Sequence, residues 1–145
     1  MNGKKNIVPI VMASDENYLF PTSVAMVSIM ENGNEENEYI FYLLVKPELV
    51  GMDQGLFSAI KEKYSNFTCQ YLTVPTETFK DAALTNEHIT VETYYRLLIS
   101  DLLPEYEKCL YLDGDIIVQC DVAELLNTDL EENYLAAIKD IGMQC

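Results

Sequence analysis

The chain has 145 residues, one domain's worth, and that length buries roughly 68–70% of the surface the unfolded chain exposes. Its 24 acidic residues against 9 basic ones give a formal net charge of −15, which leaves no basic footprint for nucleic acid and no attraction to anionic lipid. No apolar run approaches the ~20 residues of a membrane span, so a single domain over 1–145 with no transmembrane segment and no nucleic-acid partner is expected.

Two lysines precede the first apolar stretch and imitate a signal peptide, but Ile7 to Ala13 is short for that role and contains Pro9; it reads as an opening strand. A helical stretch from Thr22 to Met30 follows, closed by Asn32-Gly33, and then the solvated acidic connection ENGNEENE. Strands are expected at Tyr39 to Val45 and Phe67 to Val74, with a helix from Asp53 to Tyr64 between them. Val91 to Leu103 is helical and closed by Pro104; strands follow at Cys109 to Leu112 and Ile116 to Val118, a short helix at Val122 to Leu126, and a strand at Tyr134 to Ile138. Strands alternating with helices indicate βαβ units and a largely parallel sheet, and strands such as IVPIVMA, apolar on both faces, indicate helices on both sides.

Cys69, Cys109, Cys120 and Cys145 form no C-x-x-C pair and no zinc-type spacing, so they are expected as free thiols in a reducing, cytoplasmic setting. Neither Gly-x-Gly-x-x-Gly nor the P-loop pattern occurs, so any phosphate has to be held by a metal or by side chains.

Ligands of open α/β sheets bind in the crevice outside the carboxyl ends of the strands. After the first strand come Ala13, Ser14, Asp15, Glu16 and Asn17; after Leu112 come Asp113, Gly114 and Asp115. Two acidic clusters at one sheet edge repel unless a cation or hydrogen-bond donors offset them. The Asp113-Gly114-Asp115 triplet admits three readings. Asp-Gly between apolar strands is a hairpin turn signal. An EF-hand loop starting at Asp113 would place Asp115, Asp121 and Glu124 at ligand positions, although Ile117 and Val118 occupy the places of an oxygen ligand and the turn glycine. A divalent cation held for a phosphorylated substrate is the third, since alternate residues of an extended segment point to one face and both carboxylates then reach one ion.

Asp15 and Asn17 suit hydrogen bonds to a base and ribose, and equally suit a strand-to-helix loop where such residues cap the helix. Arg96, the one arginine of the chain, lies in TVETYYRLL; its planar fork binds phosphate bidentately, and it equally forms an ion pair in so acidic a chain. His88 is a lone histidine, and Tyr18, Tyr94 and Tyr95 serve packing as readily as binding.

Taken together, IVPIVMASDENY, SVAMVSIMEN, HITVETYYRLLISDLLPEYEKCLYLDGDIIV and LAAIKD, in that order, resemble the nucleotide-sugar glycosyltransferases of family 8, the group of lipopolysaccharide galactosyl- and glucosyltransferases and of glycogenin. The resemblance implies an α/β, Rossmann-like GT-A fold, a UDP-sugar donor (UDP-glucose or UDP-galactose), Mn²⁺ or Mg²⁺ as cofactor, and hexose transfer to a glycan acceptor with retention of configuration. It implies that Asp113 and Asp115 hold the metal, that Ala13, Asp15, Asn17, Ile89, Arg96 and Gly114 contact the donor, that His88 and Tyr18 face the acceptor, and that Asp140 is a further active-site acid. The family's third metal ligand, a histidine late in the domain, and its Asn-Ala-Gly segment have no counterpart, since His88 precedes the aspartates. The expectation is therefore an amino-terminal, donor and metal half, incomplete at its carboxyl end, prone to self-association through an open edge and with little transfer activity alone. The alternative is a non-catalytic nucleotide- or divalent-cation-binding module.

Overall fold

The computed structural model describes residues 5–79 and 91–138. Four strands, β1 (Asn6–Ala13), β2 (Asn37–Val45), β3 (Phe67–Thr73) and β4 (Leu110–Tyr111), form one sheet in the order β3-β2-β1-β4 with every pairing parallel. Helices α1 (Leu19–Asn32) and α2 (Leu56–Lys63) make the crossovers from β1 to β2 and from β2 to β3, as parallel neighbours require. Beyond β3, Val91–Leu98 is a 3-10 helix that runs into one α-helical turn, α3 (Ile99–Leu102), and α4 (Val122–Leu126) follows β4.

The double-sided apolar pattern of the strands is explained by two cores. Val8, Ile10 and Met12 of β1 with Tyr39, Phe41, Leu43 and Val45 of β2 pack under α1, α2 and α4. Val11, Tyr42 and Leu44 face the other way and meet Tyr95 and Leu103 of the segment after β3. Pro9 sits in a central strand, where a missing N–H normally breaks a ladder. Backbone groups of alternate residues turn to opposite neighbours: Ser14 N–H donates to Leu44 O on β2, whereas Val11 O accepts from Leu112 N. Pro9 therefore faces the β4 side, and β4 begins pairing one residue later, at Ile10 with Leu110, so no bond is lost.

Two expected strands are absent. Ile116 to Val118 keeps the extended alternation, with Ile116 and Val118 against the first core and Ile117 exposed, but it has no ladder partner among the described residues. Side chains of α1 hold it instead: Val118 N–H donates to Ser28 Oγ (2.9 Å) and Val118 O accepts from Asn32 Nδ2 (3.0 Å). Tyr134 to Ile138 is irregular, and Tyr134, Leu135 and Ile138 lie in solvent. An apolar pattern specifies a strand only where a neighbouring ladder takes up its N–H and C=O groups, and among the described residues none is beside it. The 91–103 segment is tighter than the expected α-helix, because most of it is 3-10.

At the outer edge of the sheet, Lys61 Nζ of α2 donates to the carbonyls of Ser65 and Phe67. Glu31 of α1 pairs with Lys63 and Tyr64, tying the two helices together.

Candidate functional site

The carboxyl ends of β1 and β4 are neighbours, and a cleft of about 290 Å³ opens there. Ala13, Ser14, Asp15 and Tyr18 come from the loop after β1, Glu92, Thr93 and Arg96 from the 3-10 helix, and Tyr111, Asp113, Gly114 and Asp115 from the end of β4. Sheet order alone accounts for this convergence, since residues nearly a hundred positions apart reach one edge because their strands are adjacent and parallel.

Asp15 uses one oxygen to organise its own loop: Oδ1 accepts from the N–H groups of Asn17 (2.8 Å) and Tyr18 (3.0 Å) at the start of α1. The loop reading is thus realised by the same residue that faces the cleft, as a turn closed on its own backbone just ahead of α1 and not as a helix cap. Asn17 sits in this exposed turn and does not line the cleft. Tyr18 is 46% exposed at its mouth.

Asp113 and Asp115 are exposed on either side of buried Gly114, so the two carboxylates project from one short turn. The hairpin reading fails here: the sheet is parallel throughout, Gly114 is not among the residues with positive φ, and no return strand forms. The EF-hand reading fails as well. A strand, not a helix, enters the loop, and Asp121 is committed elsewhere: its Oδ1 caps α4 through Ala123 N–H (2.9 Å) and accepts from Tyr39 Oη (2.7 Å).

Arg96 is held on three sides. Its Nε donates to Thr93 O (2.8 Å), its guanidinium lies 4.6 Å above the Tyr111 ring, and Nη2 is 4.0 Å from Asp113 Oδ1. Burial pushes the Tyr111 phenol up, and the nearby guanidinium opposes that shift, so the ring stays neutral beneath the cation. Glu92, buried on the floor of the same helix, is paired with Lys46 at the end of β2 (2.7 Å), and this bond raises the ammonium's pKa. The Tyr95 hydroxyl, buried alongside, finds no hydrogen-bond partner among the described residues.

Of the residues expected at the site, the structure brings together Ala13, Asp15, Tyr18, Arg96, Asp113, Gly114 and Asp115. His88, Ile89 and Asp140 lie outside the described residues. Ser14, Glu92, Thr93 and Tyr111 line the cleft without having been singled out; Ser14 and Tyr111 adjoin residues that were, and strand alternation was the available signal.

A parallel α/β sheet with a cleft at its carboxyl edge places a ligand site where open α/β folds hold theirs, and here the fold is that of the GT-A glycosyltransferases. The chain superposes on LgtC, in a crystal structure of an active-site mutant, with a TM-score of 0.80 at 28% identity over 93% of this chain and 47% of that one. A second crystal structure, of galactosyltransferase LgtC in complex with donor and acceptor sugar analogs, aligns with a TM-score of 0.75 at 27% identity over 88% of this chain and 45% of that one. Residues 9–145 match the family Glycosyl transferase family 8, and the chain belongs to that family. It is 31% identical over 132 residues to the lipopolysaccharide 1,2-glucosyltransferase of Escherichia coli (88% of this chain, 37% of that protein). It is 28% identical over 147 residues to general stress protein A of Bacillus subtilis (96% of this chain, 48% of that protein). The chain thus spans less than half the length of these relatives.

Proposed function

We propose that the chain binds the donor for a retaining glycosyltransferase that moves a hexose from UDP-glucose or UDP-galactose to a glycan acceptor. The observation that carries this reading is the convergence of the Asp15 loop, Arg96 and the Asp113/Asp115 pair on one cleft at the carboxyl edge of β1 and β4.

The residues fit a hard divalent cation, Mn²⁺ or Mg²⁺. Asp113 and Asp115 supply oxygen ligands, and among the described residues no group of three acidic, histidine or cysteine side chains gathers into a complete protein cage. Such ions are usually bound through one or two carboxylates, with substrate phosphates and waters filling the octahedron. When bound, the cation offsets the negative charge that builds on the departing diphosphate. Arg96, already braced by Thr93 and Tyr111, meets the diphosphate with a planar fork. The turn organised by Asp15 presents Ala13 and Asp15 to the nucleoside; the resemblance adds Asn17 to those contacts and puts Tyr18, at the mouth, on the acceptor side. The resemblance adds Ile89 to the uridine contacts, His88 to the acceptor side and Asp140 as a further acid. A bacterial lipopolysaccharide acceptor is the reading that the Escherichia coli relative supports.

Calorimetric titration of UDP into the protein with and without Mn²⁺ tests this. Binding is expected only with the ion, and is expected to disappear when Asp113 and Asp115 are both changed to Asn. Ion-independent binding, or binding indifferent to the double change, would sink the reading.

A further inference from the structure

Thr22 of α1 is completely buried, and it touches both loops of the cleft. Its hydroxyl donates to Ser14 Oγ (3.4 Å), and Ser14 Oγ in turn donates to the carbonyl of Asp15 (3.1 Å), so a short relay runs from the helix into the loop after β1. On its other side, Thr22 lies against Gly114: a Cβ built there would stand 2.3 Å from Thr22 Oγ1 and 3.3 Å from Thr22 Cβ. Gly114 does not have the positive φ that would by itself demand glycine. Glycine is therefore required at the centre of the aspartate triplet by the close approach of one side chain, and that side chain belongs to the helix that also anchors the other acidic loop.

We propose that Thr22 is a positioning residue, a spacer wedged between the two loops that fixes the separation of Asp113 and Asp115 from Asp15 and Arg96. The inference rests on the donor-site reading above and goes beyond it by assigning a size limit at 114 to a residue that touches no donor. A side chain at 114 pushes the turn outward, because Thr22 is fully buried in the packed interior while the turn is exposed on both sides of Gly114. Both flanking carboxylates move with that turn.

The test is a two-by-two set: the parent, Gly114→Ala, Thr22→Ala and the double variant, each titrated with UDP and Mn²⁺ and each melted. Gly114→Ala is expected to weaken Mn²⁺-dependent UDP binding by about tenfold or more, the scale on which small misplacements act. Thr22→Ala is expected to weaken it less. In the double variant the 2.3 Å contact with Oγ1 is gone, and the added methyl meets Thr22 Cβ at 3.3 Å and Cα at 3.6 Å, which a small shift of the turn relieves, so binding is expected to return to the level of Thr22→Ala. A merely structural contact would lower the melting temperature of Gly114→Ala and leave the affinity of the folded protein unchanged. Parent-like affinity in Gly114→Ala, or a double variant no better than Gly114→Ala, overturns the inference while leaving the donor reading intact. A parent that does not bind UDP with Mn²⁺ overturns the donor reading instead. The positioning role then falls with it, because melting temperatures alone report the packing of Thr22 on Gly114 and not the placement of a donor.

Discussion

The two sides of β1 are built differently. Toward β2 and β3 the sheet is a continuous ladder, eight residue pairs from Asn6 to Ala13 and seven from Tyr39 to Val45, whereas toward β4 only Ile10 and Val11 find partners. The segment after β4 is fastened mainly by side chains: Ser28 and Asn32 hold Val118, Tyr39 holds Asp121, and Thr22 backs Gly114. Backbone ladders fix position to a fraction of an ångström with no demand on sequence, while side-chain fastening is specific and individually breakable. The loop carrying Asp15 rests on the first kind of support, and the loop carrying Asp113 and Asp115 on the second.

Substitutions separate these two kinds of support. The largest effect is expected in the ladder half: Phe41→Ala, which removes a fully buried ring tilted against Phe67 with centroids 5.1 Å apart, costs about 3–5 kcal/mol of stability, read by chemical denaturation. Loss of the whole fold in one transition is expected, because both cores share β2. Next comes Asp121→Ala, which removes the α4 cap and takes away the acceptor of the buried Tyr39 hydroxyl at a cost of about 1–3 kcal/mol. Asn32→Ala is smaller, about 1 kcal/mol. It is expected to raise hydrogen exchange around Val118 while leaving β2 and β3 protected, and equal acceleration in both regions would show the two supports to be one cooperative unit.

A further effect, which appears only at alkaline pH, is carried in the ladder half by Cys69. Burial, helped by the Asp53 carboxylate, pushes the Cys69 thiol up to about 12 from an ordinary value of 9.0. The folded chain therefore holds that proton more tightly than the unfolded one, so the contribution is fully present below pH 9 and is lost as pH rises toward 12. Melting temperature followed from pH 8 upward is expected to fall through this window, and Cys69→Ala is expected to flatten part of the fall. The same shift keeps the thiol protonated, so Cys69 is expected to resist alkylation at pH 8 under conditions that label exposed Cys120.

The ladder half was the legible half. Ile7 to Ala13, Tyr39 to Val45 and Phe67 to Val74 match β1, β2 and β3 to within two residues, because long apolar runs bounded by polar turns have one low-energy arrangement in a parallel sheet. Ile116 to Val118 and Tyr134 to Ile138 carry the same kind of pattern, yet a pattern names the face a residue presents and not the strand that will sit beside it. The cleft was legible as an edge: placing Asp15 and Asp113 at strand ends was enough to bring them together. Thr22 was not legible, because a threonine inside an apolar helix looks like any other core position until Gly114 is seen against it. Nor was the bracing of Arg96 by Tyr111, which depends on the β1 to β4 register.

The lysine on the outer side of β3 has a consequence for how the protein fails. Backbone groups of Phe67, Cys69, Tyr71 and Thr73 point away from β2, as the Val74 N–H bond to Val45 O fixes; Phe67 is satisfied by Tyr64 O and Lys61, and beyond it no strand pairs with this edge among the described residues. A foreign strand that adds to this edge meets Lys61 already seated on its first carbonyl, and has to displace an ammonium before its own amides can dock. One positive charge thus guards the start of this edge against edge-to-edge pairing.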